Sequence, residues 1–366
     1  MKFRTSRSIA GIKPYEAGKP LSEFTREYQI QSVVKLASNE NPLGFSPKVT
    51  AAVQASLPGM HRYPEPVAHD LCSALAEKFQ VEPENIVLGN GSDDLIALLA
   101  HAFLDPGDQA LMPLPSFLMY EISVRTAKGE PVMVPLSGFD TNLNALVENV
   151  SPLTRMVFVT NPFNPTGSAI TRDAFQKFAA KIPSDVLIVV DEAYMEFVRD
   201  PRVFNSLEKP LQDPRIVTLR TFSKAYGLAG FRIGYGIMEK ETARILNRIR
   251  QPFNVNGLAQ AAAQAALADQ VFLQHGVDVI HQGIDFLTAQ LSAMGLSPLP
   301  THANFLMVDV KTDASQIFDK LLRQGVIVRS MKSYGFDTFL RVNAGTWEEN
   351  QAFVSALKNV LKPDAC

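Results

Sequence analysis

Between residues 85 and 221 short apolar runs alternate with longer stretches of helical character. NIVLG (85–89), QALMP (109–113), RMVFVT (155–160), VLIVVDEA (186–193) and IVTLRT (216–221) are mostly apolar at consecutive positions rather than at every second one. That is the pattern of strands covered on both faces. Such strands separated by helices predict an α/β fold, a mostly parallel sheet wrapped by helices. The alanine-rich stretch 257–295 predicts helix and leads the chain away from the sheet. Beyond it the pattern changes. NFLMVDV (304–310) and FLRVNAG (339–345) read as strands, SQIFDKLLRQG (315–325) as a helix stopped by glycine, and TWEENQAFVSALKNVL (346–361) as a helix opened by a Thr346/Glu349 capping box. The expected division is an N-terminal arm and small-domain segment over 1–35, a large domain over 36–257, and a small α+β domain over 258–366.

Composition then narrows the chemistry. With 35 basic and 37 acidic side chains among 366 residues and no basic cluster, the chain points away from nucleic acid and anionic membranes and toward a small-molecule substrate. Two cysteines, Cys72 and Cys366, argue against a disulfide scaffold or a thiolate metal site, and the six histidines show no HxH or HExxH spacing, so no metal is expected. The N-terminus lacks an apolar leader region and no run approaches a membrane span, which makes the cytoplasm the expected compartment.

The polar residues fall where the predicted strands end. GNGSDD (89–94), PSF (115–117), NPFNPTG (161–167), DEAY (191–194) and FSK (222–224) each follow or terminate one run. Ligands of open parallel sheets bind outside the carboxyl ends of the strands, so these five segments can line one crevice. GNGSDD lacks the third glycine of a dinucleotide loop; the N–H groups of Gly91, Ser92 and Asp93 at a helix start suit a phosphate, and a simple helix cap by Ser92 or Asp93 fits equally well. Asp191 ends an apolar run and is expected to be buried, which requires a cation: Lys224 or a protonated ring nitrogen. Lys224 leaves the last strand among small and apolar residues. Such a lysine either snorkels to the surface or serves as an amine that sheds its proton near neutral pH to form a Schiff base, helped by burial and by a nearby cation such as Arg232.

Taken together, PYEAGKP (14–20), LASNENPLG (36–44), RYP (62–64), NPFNPTG, DEAYMEF (191–197), RTFSKAYGLAGFRIGYG (220–236) and PFNVNGLAQAAA (252–263) cover nearly the whole chain. In this combination the sequence resembles the aspartate-aminotransferase superfamily of fold type I pyridoxal-phosphate enzymes, and within it the histidinol-phosphate aminotransferases. The resemblance implies pyridoxal 5'-phosphate as cofactor, histidinol phosphate and glutamate/2-oxoglutarate as substrates, and a homodimer. It also implies roles. Lys224 bonds the cofactor and moves the substrate proton. Asp191 keeps the ring nitrogen protonated, Tyr194 and Asn164 bind the ring oxygen, and Phe117 stacks on the ring. Gly91, Ser92, Asp93, Thr221, Ser223 and Arg232 hold the phosphate, with Tyr63 reaching in from the partner subunit. Arg341 receives the substrate anion, with Arg329, Tyr15 and Asn39 beside it. An aromatic amino acid aminotransferase and a threonine-phosphate decarboxylase share most of these features and remain open alternatives.

Overall fold

The computed structural model describes residues 6, 8–12, 14 and 33–361. In chain order the strands begin with β1 (Val34–Lys35), β2 (Ile86–Gly89), β3 (Gln109–Leu114), β4 (Glu130–Pro135), β5 (Thr154–Thr160), β6 (Leu187–Asp191), β7 (Ile216–Thr221) and β8 (Gly234–Ile237). Strands β2 to β8 form a seven-stranded sheet in the order β2-β8-β7-β6-β5-β3-β4. Neighbours from β4 through β7 are parallel, and β8 runs antiparallel to both β7 and β2. The five expected strands all lie in this sheet.

The central strands are apolar on both faces because each face meets a helix. Val157, Val159, Ile188 and Val190 pack against Phe175 and Phe178 of the helix Arg172–Ala179. The alternate residues Met156, Phe158 and Val189 pack against Leu95, Ile96 and Leu99 of the helix Ser92–Phe103. The fold is therefore α/β, helices on both sides of a mostly parallel sheet. Two of its strands are not announced by apolar runs. β4 carries Pro131 and Pro135, tolerated because it is an edge strand bonded only to β3. β8 carries Gly234, where a Cβ would lie 2.6 Å from the Ser92 nitrogen and 2.9 Å from the Arg220 oxygen. Glycine there lets the sheet press directly against the start of the helix Ser92–Phe103.

The remaining strands are β9 (Ser297–Pro298), β10 (Phe305–Asp309), β11 (Val326–Ile327), β12 (Arg329–Ser330) and β13 (Phe339–Asn343). They form an antiparallel sheet ordered β12-β13-β10-β9, and β11 pairs in parallel with β1. The expected helices flank it at Ala314–Arg323 and Trp347–Leu361. The capping box forms: Thr346 N–H donates to Glu349 Oε2 at 2.8 Å and Glu349 N–H to Thr346 Oγ1 at 3.3 Å. The alanine-rich stretch expected as helix over 257–295 divides into Gly257–Leu267 and Gln270–Ala293. Asp269 sits at the break, accepting from Phe272 N–H at 3.4 Å and from the Ser46 hydroxyl at 2.5 Å. No helix among the described residues is long and apolar enough to cross a membrane.

One buried charge network centres on Arg220 of β7, which does not line the crevice. Arg220 Nε donates to Glu192 Oε2 at 2.9 Å, Nη1 to Glu196 at 3.1 Å and Nη2 to Asn205 at 3.0 Å, while Glu192 Oε1 accepts from Ser206 N–H at 2.7 Å. Breaking a buried pair strands one charge. Arg220→Met is expected to destabilise the fold by about 3–5 kcal/mol in equilibrium denaturation, and adding Glu192→Leu should recover most of that loss. A single variant as stable as the parent would contradict this account.

Candidate active site

Parallel strands held in register finish at one edge, and the residues just past that edge face a single cavity of about 310 Å³. The large sheet supplies Phe117 after β3, Asn164 after β5, Asp191 and Tyr194 at the end of β6, and Thr221, Ser223 and Lys224 at the end of β7. Ser92 and Asp93 enter from the helix start, and Arg232 from just before β8. The antiparallel sheet closes the other side with Arg329 of β12 and Arg341 of β13, and Asn39 lines the cavity from the segment after β1.

Lys224 is only partly buried by its surroundings, but its amine points inward and donates to the Ser38 carbonyl at 3.1 Å. It also lies 5.8 Å from the centre of the Tyr194 ring. Its pKa is lowered to about 8, chiefly by burial and then by Arg341 and Arg232, against opposing pulls from Glu40 and Asp191. The inward position settles the choice against a snorkelling lysine. Arg232 lowers it as expected, and Arg341, from the other sheet, is the stronger cationic influence.

Asp191 is buried, and burial raises its carboxyl pKa. Its direct partners are uncharged. Oδ2 accepts from the Tyr120 hydroxyl at 2.7 Å and Oδ1 from Ala193 N–H at 3.2 Å. Of the two cations expected to face it, Lys224 acts only through space, lowering the carboxyl pKa without an ion pair among the described residues. Tyr194, whose hydroxyl accepts from Asn39 Nδ2 at 2.9 Å, has its pKa pushed up to about 12 by burial.

The helix Ser92–Phe103 begins at Gly91, which has φ +93 and no side-chain cap, so neither Ser92 nor Asp93 serves as the simple cap. Its first-turn N–H groups have no partner within the helix and present a positive end to the cavity. A Cβ on Gly91 would stand 2.3 Å from Arg232 Nη2. Arg232 holds Asp93 Oδ1 at 2.8 Å and approaches the Ser223 hydroxyl at 3.4 Å. Asp93 therefore contributes a carboxylate that orients Arg232, in addition to its N–H.

Arg341 donates from Nη1 to Asn164 Oδ1 at 2.7 Å and from Nη2 to the Ala37 carbonyl at 3.2 Å, with its guanidinium 5.0 Å from the Phe305 ring centre. Arg329 is its register partner on the adjacent strand. Both side chains line the cavity, where guanidinium groups suit an anionic ligand. Tyr63 is elsewhere: it is 82% exposed and stacks on Phe253 at 4.6 Å, away from this chain's own cavity. Tyr15 lies outside the described residues.

Sequence reasoning passed over Tyr120 and Thr160. Tyr120 lies in the first turn of the helix Leu118–Thr126, whose N-cap is Phe117, and Thr160 is the register partner of Asp191 across β5 and β6. Those two relations were the available signals. In cofactor-free protein, acylation of Lys224 followed by peptide mapping should titrate with a midpoint about 8. Arg341→Met should move that midpoint up, since a repelling charge is gone; an unmoved midpoint would show that Arg341 does not govern the amine.

Residues 31–357 match the family model described as aminotransferase class I and II. The chain is 45% identical over 361 residues to histidinol-phosphate aminotransferase 2 of Methylococcus capsulatus, covering 97% of each. It is 44% identical over 360 residues to histidinol-phosphate aminotransferase 2 of Carboxydothermus hydrogenoformans, covering 97% of this chain and 99% of that one. Among solved structures, histidinol-phosphate aminotransferase from Sinorhizobium meliloti in complex with pyridoxal-5'-phosphate matches with a TM-score of 0.90 and 29% identity over 98% of both chains. The chain belongs to the class I and II aminotransferases.

Proposed function

We propose that the chain is a pyridoxal-phosphate-dependent histidinol-phosphate aminotransferase of the cytoplasm, exchanging an amino group between histidinol phosphate and 2-oxoglutarate. The observation that carries the reading is the convergence of Lys224, Asp191, an uncapped helix start and two register-paired arginines on one cavity of about 310 Å³. The 40–45% identity to relatives named for that substrate supports the choice within the family. We assign the cofactor to residues 36–257 and the substrate arginines to the part from 258 onward.

The residues fit the cofactor. Gly91 leaves a recess that a Cβ would fill, beside Arg232 and the helix N–H groups, which suits a phosphate. Asn39 Oδ1 is buried in the cavity wall without a hydrogen-bond partner among the described residues. Pyridoxal phosphate, when bound, supplies a conjugated ring that accepts the electron pair released when the substrate C–H bond breaks. The chain's own groups do the rest. Thr221, Ser223 and Arg232 hold the phosphate with the helix N–H groups of Gly91, Ser92 and Asp93. Phe117 covers the ring face, Asp191 holds the proton on the ring nitrogen, and Tyr194 and Asn164 bind the ring oxygen. With a pKa of about 8, the Lys224 amine is in part neutral near physiological pH and takes the proton from the substrate carbon. Arg341 and Arg329 bind the substrate phosphate in one half-reaction and a carboxylate in the other.

Substrate identity is tested by single half-reactions. Histidinol phosphate should convert the bound cofactor to its amino form with a higher second-order rate constant than phenylalanine, and 2-oxoglutarate should restore it. Arg341→Lys should weaken both steps by about ten- to hundred-fold, the range for a lost hydrogen bond to a charged group. Faster conversion by phenylalanine would make the chain an aromatic aminotransferase, and carbon dioxide release from phosphothreonine a lyase.

The exposed Tyr63 leads us to place it at the cofactor phosphate of a second copy in a homodimer. Mixing inactive Lys224→Ala with an inactive Tyr63→Ala variant under proven subunit exchange should restore part of the activity, through one intact site per heterodimer. No recovery would count against a shared site.

A further inference from the structure

Behind Asp191 stands a chain of hydroxyls buried in the large sheet. Tyr120 is fully buried, and its hydroxyl lies 2.7 Å from Asp191 Oδ2 and 2.8 Å from Thr160 Oγ1. The ring is fixed by stacking on Phe158 at 4.6 Å and 12°, and it meets Phe117 edge-on at 5.7 Å. Thr160 is placed by β-sheet register, directly across from Asp191. Three groups on three elements thus form one hydrogen-bonded chain that ends at a carboxylate oxygen.

The proton order in this chain follows from valence. An ionised carboxylate only accepts, so Tyr120 donates to it, and a phenol has one proton to give. Thr160 must then donate to the Tyr120 oxygen. We propose that Tyr120, oriented by Thr160, is a positioning residue that keeps Asp191 ionised, so that the proton shared with the cofactor rests on the ring nitrogen and not on the carboxylate. The inference rests on the assignment of Asp191 to that nitrogen. A hydrogen bond to a charged acceptor favours the charged form, and here it opposes the burial that pushes the Asp191 carboxyl up. Phenylalanine at 120 would keep the stacking and remove the donor. The carboxylate would then hold the proton more tightly, and the ring would lose its positive charge.

The test uses holoenzyme carrying pyridoxal phosphate labelled with ¹⁵N in the ring, with nitrogen NMR at one fixed pH near neutrality. In Tyr120→Phe the ring-nitrogen shift should move toward the unprotonated value, with kcat reduced about ten- to hundred-fold and KM changed less than about two-fold. Thr160→Val should move the shift in the same direction by a smaller amount, and Thr160→Ser, which restores a hydroxyl, should return it. These two variants keep the inference testable if Tyr120→Phe folds poorly. Asp191→Asn serves as the control. If it moves the shift while Tyr120→Phe and Thr160→Val leave it at the parent value, the relay is refuted and the role of Asp191 stands. If Asp191→Asn also leaves the shift unchanged, the assignment of Asp191 fails and takes the relay with it.

Discussion

An inward-pointing amine and a buried carboxylate share one cavity here without pairing, and most of the site is arranged around keeping them so. Lys224 donates to the Ser38 carbonyl, and Asp191 accepts from Tyr120 and from Ala193 N–H. Direct pairing would satisfy both charges cheaply, but it would lock the amine in its protonated form and fill the acceptor face of the carboxylate. Separate, uncharged partners avoid that outcome. They demand rigid placement instead, since a buried polar group that loses its partner costs about 1–3 kcal/mol. The parallel sheet supplies the placement, because the register of β5, β6 and β7 fixes Thr160, Asp191 and Thr221 relative to one another.

The second sheet supplies what the first cannot. Arg341 and Arg329 lie opposite each other on β13 and β12, and a short segment after β1 ties Arg341 to the lysine. Leu36 N–H donates to the Ile327 carbonyl at 2.7 Å, Arg341 to the Ala37 carbonyl at 3.2 Å, Lys224 to the Ser38 carbonyl at 3.1 Å, and Asn39 to the Tyr194 hydroxyl at 2.9 Å. Four consecutive residues therefore touch β11, β13, the amine and the tyrosine. This segment couples Arg341 to the amine through contacts as well as through charge.

Legibility in the sequence tracked how local each signal was. β5, β6 and β7 were readable because burial on both faces leaves consecutive β-branched residues. β4 and β8 were not, since prolines at an edge and glycines at a close approach erase the apolar run. Lys224 and Asp191 stood out as charges in apolar surroundings, Arg341 was named through the family resemblance, and the cavity gathers all three. Tyr120 and Thr160 did not, because neither is costly by itself and their meaning arises only from cross-strand register. Asp93 was read for its backbone N–H, while the carboxylate contact to Arg232 spans 139 residues of sequence. The break at Asp269 was hidden inside high helix propensity.

The same charges set a balance between stability and reactivity. Lys224 has a folded pKa of about 8 against an ordinary 10.5, so between those values the unfolded chain binds more protons than the folded one. Stability from this group therefore rises with pH across that window, and below about 8 the folded state carries the full penalty of a protonated amine among other cations. An anion seated against Arg341 offsets the largest cationic contribution to that penalty. It also raises the proton affinity of the amine, by the same Coulomb effect that Arg341 exerts with opposite sign. Arg341 thus holds the pKa of the amine down in the free site, and an anion seated against Arg341 lets it rise. Under the proposed function, substrate charge delivered at one sheet would make the lysine of the other sheet a stronger base.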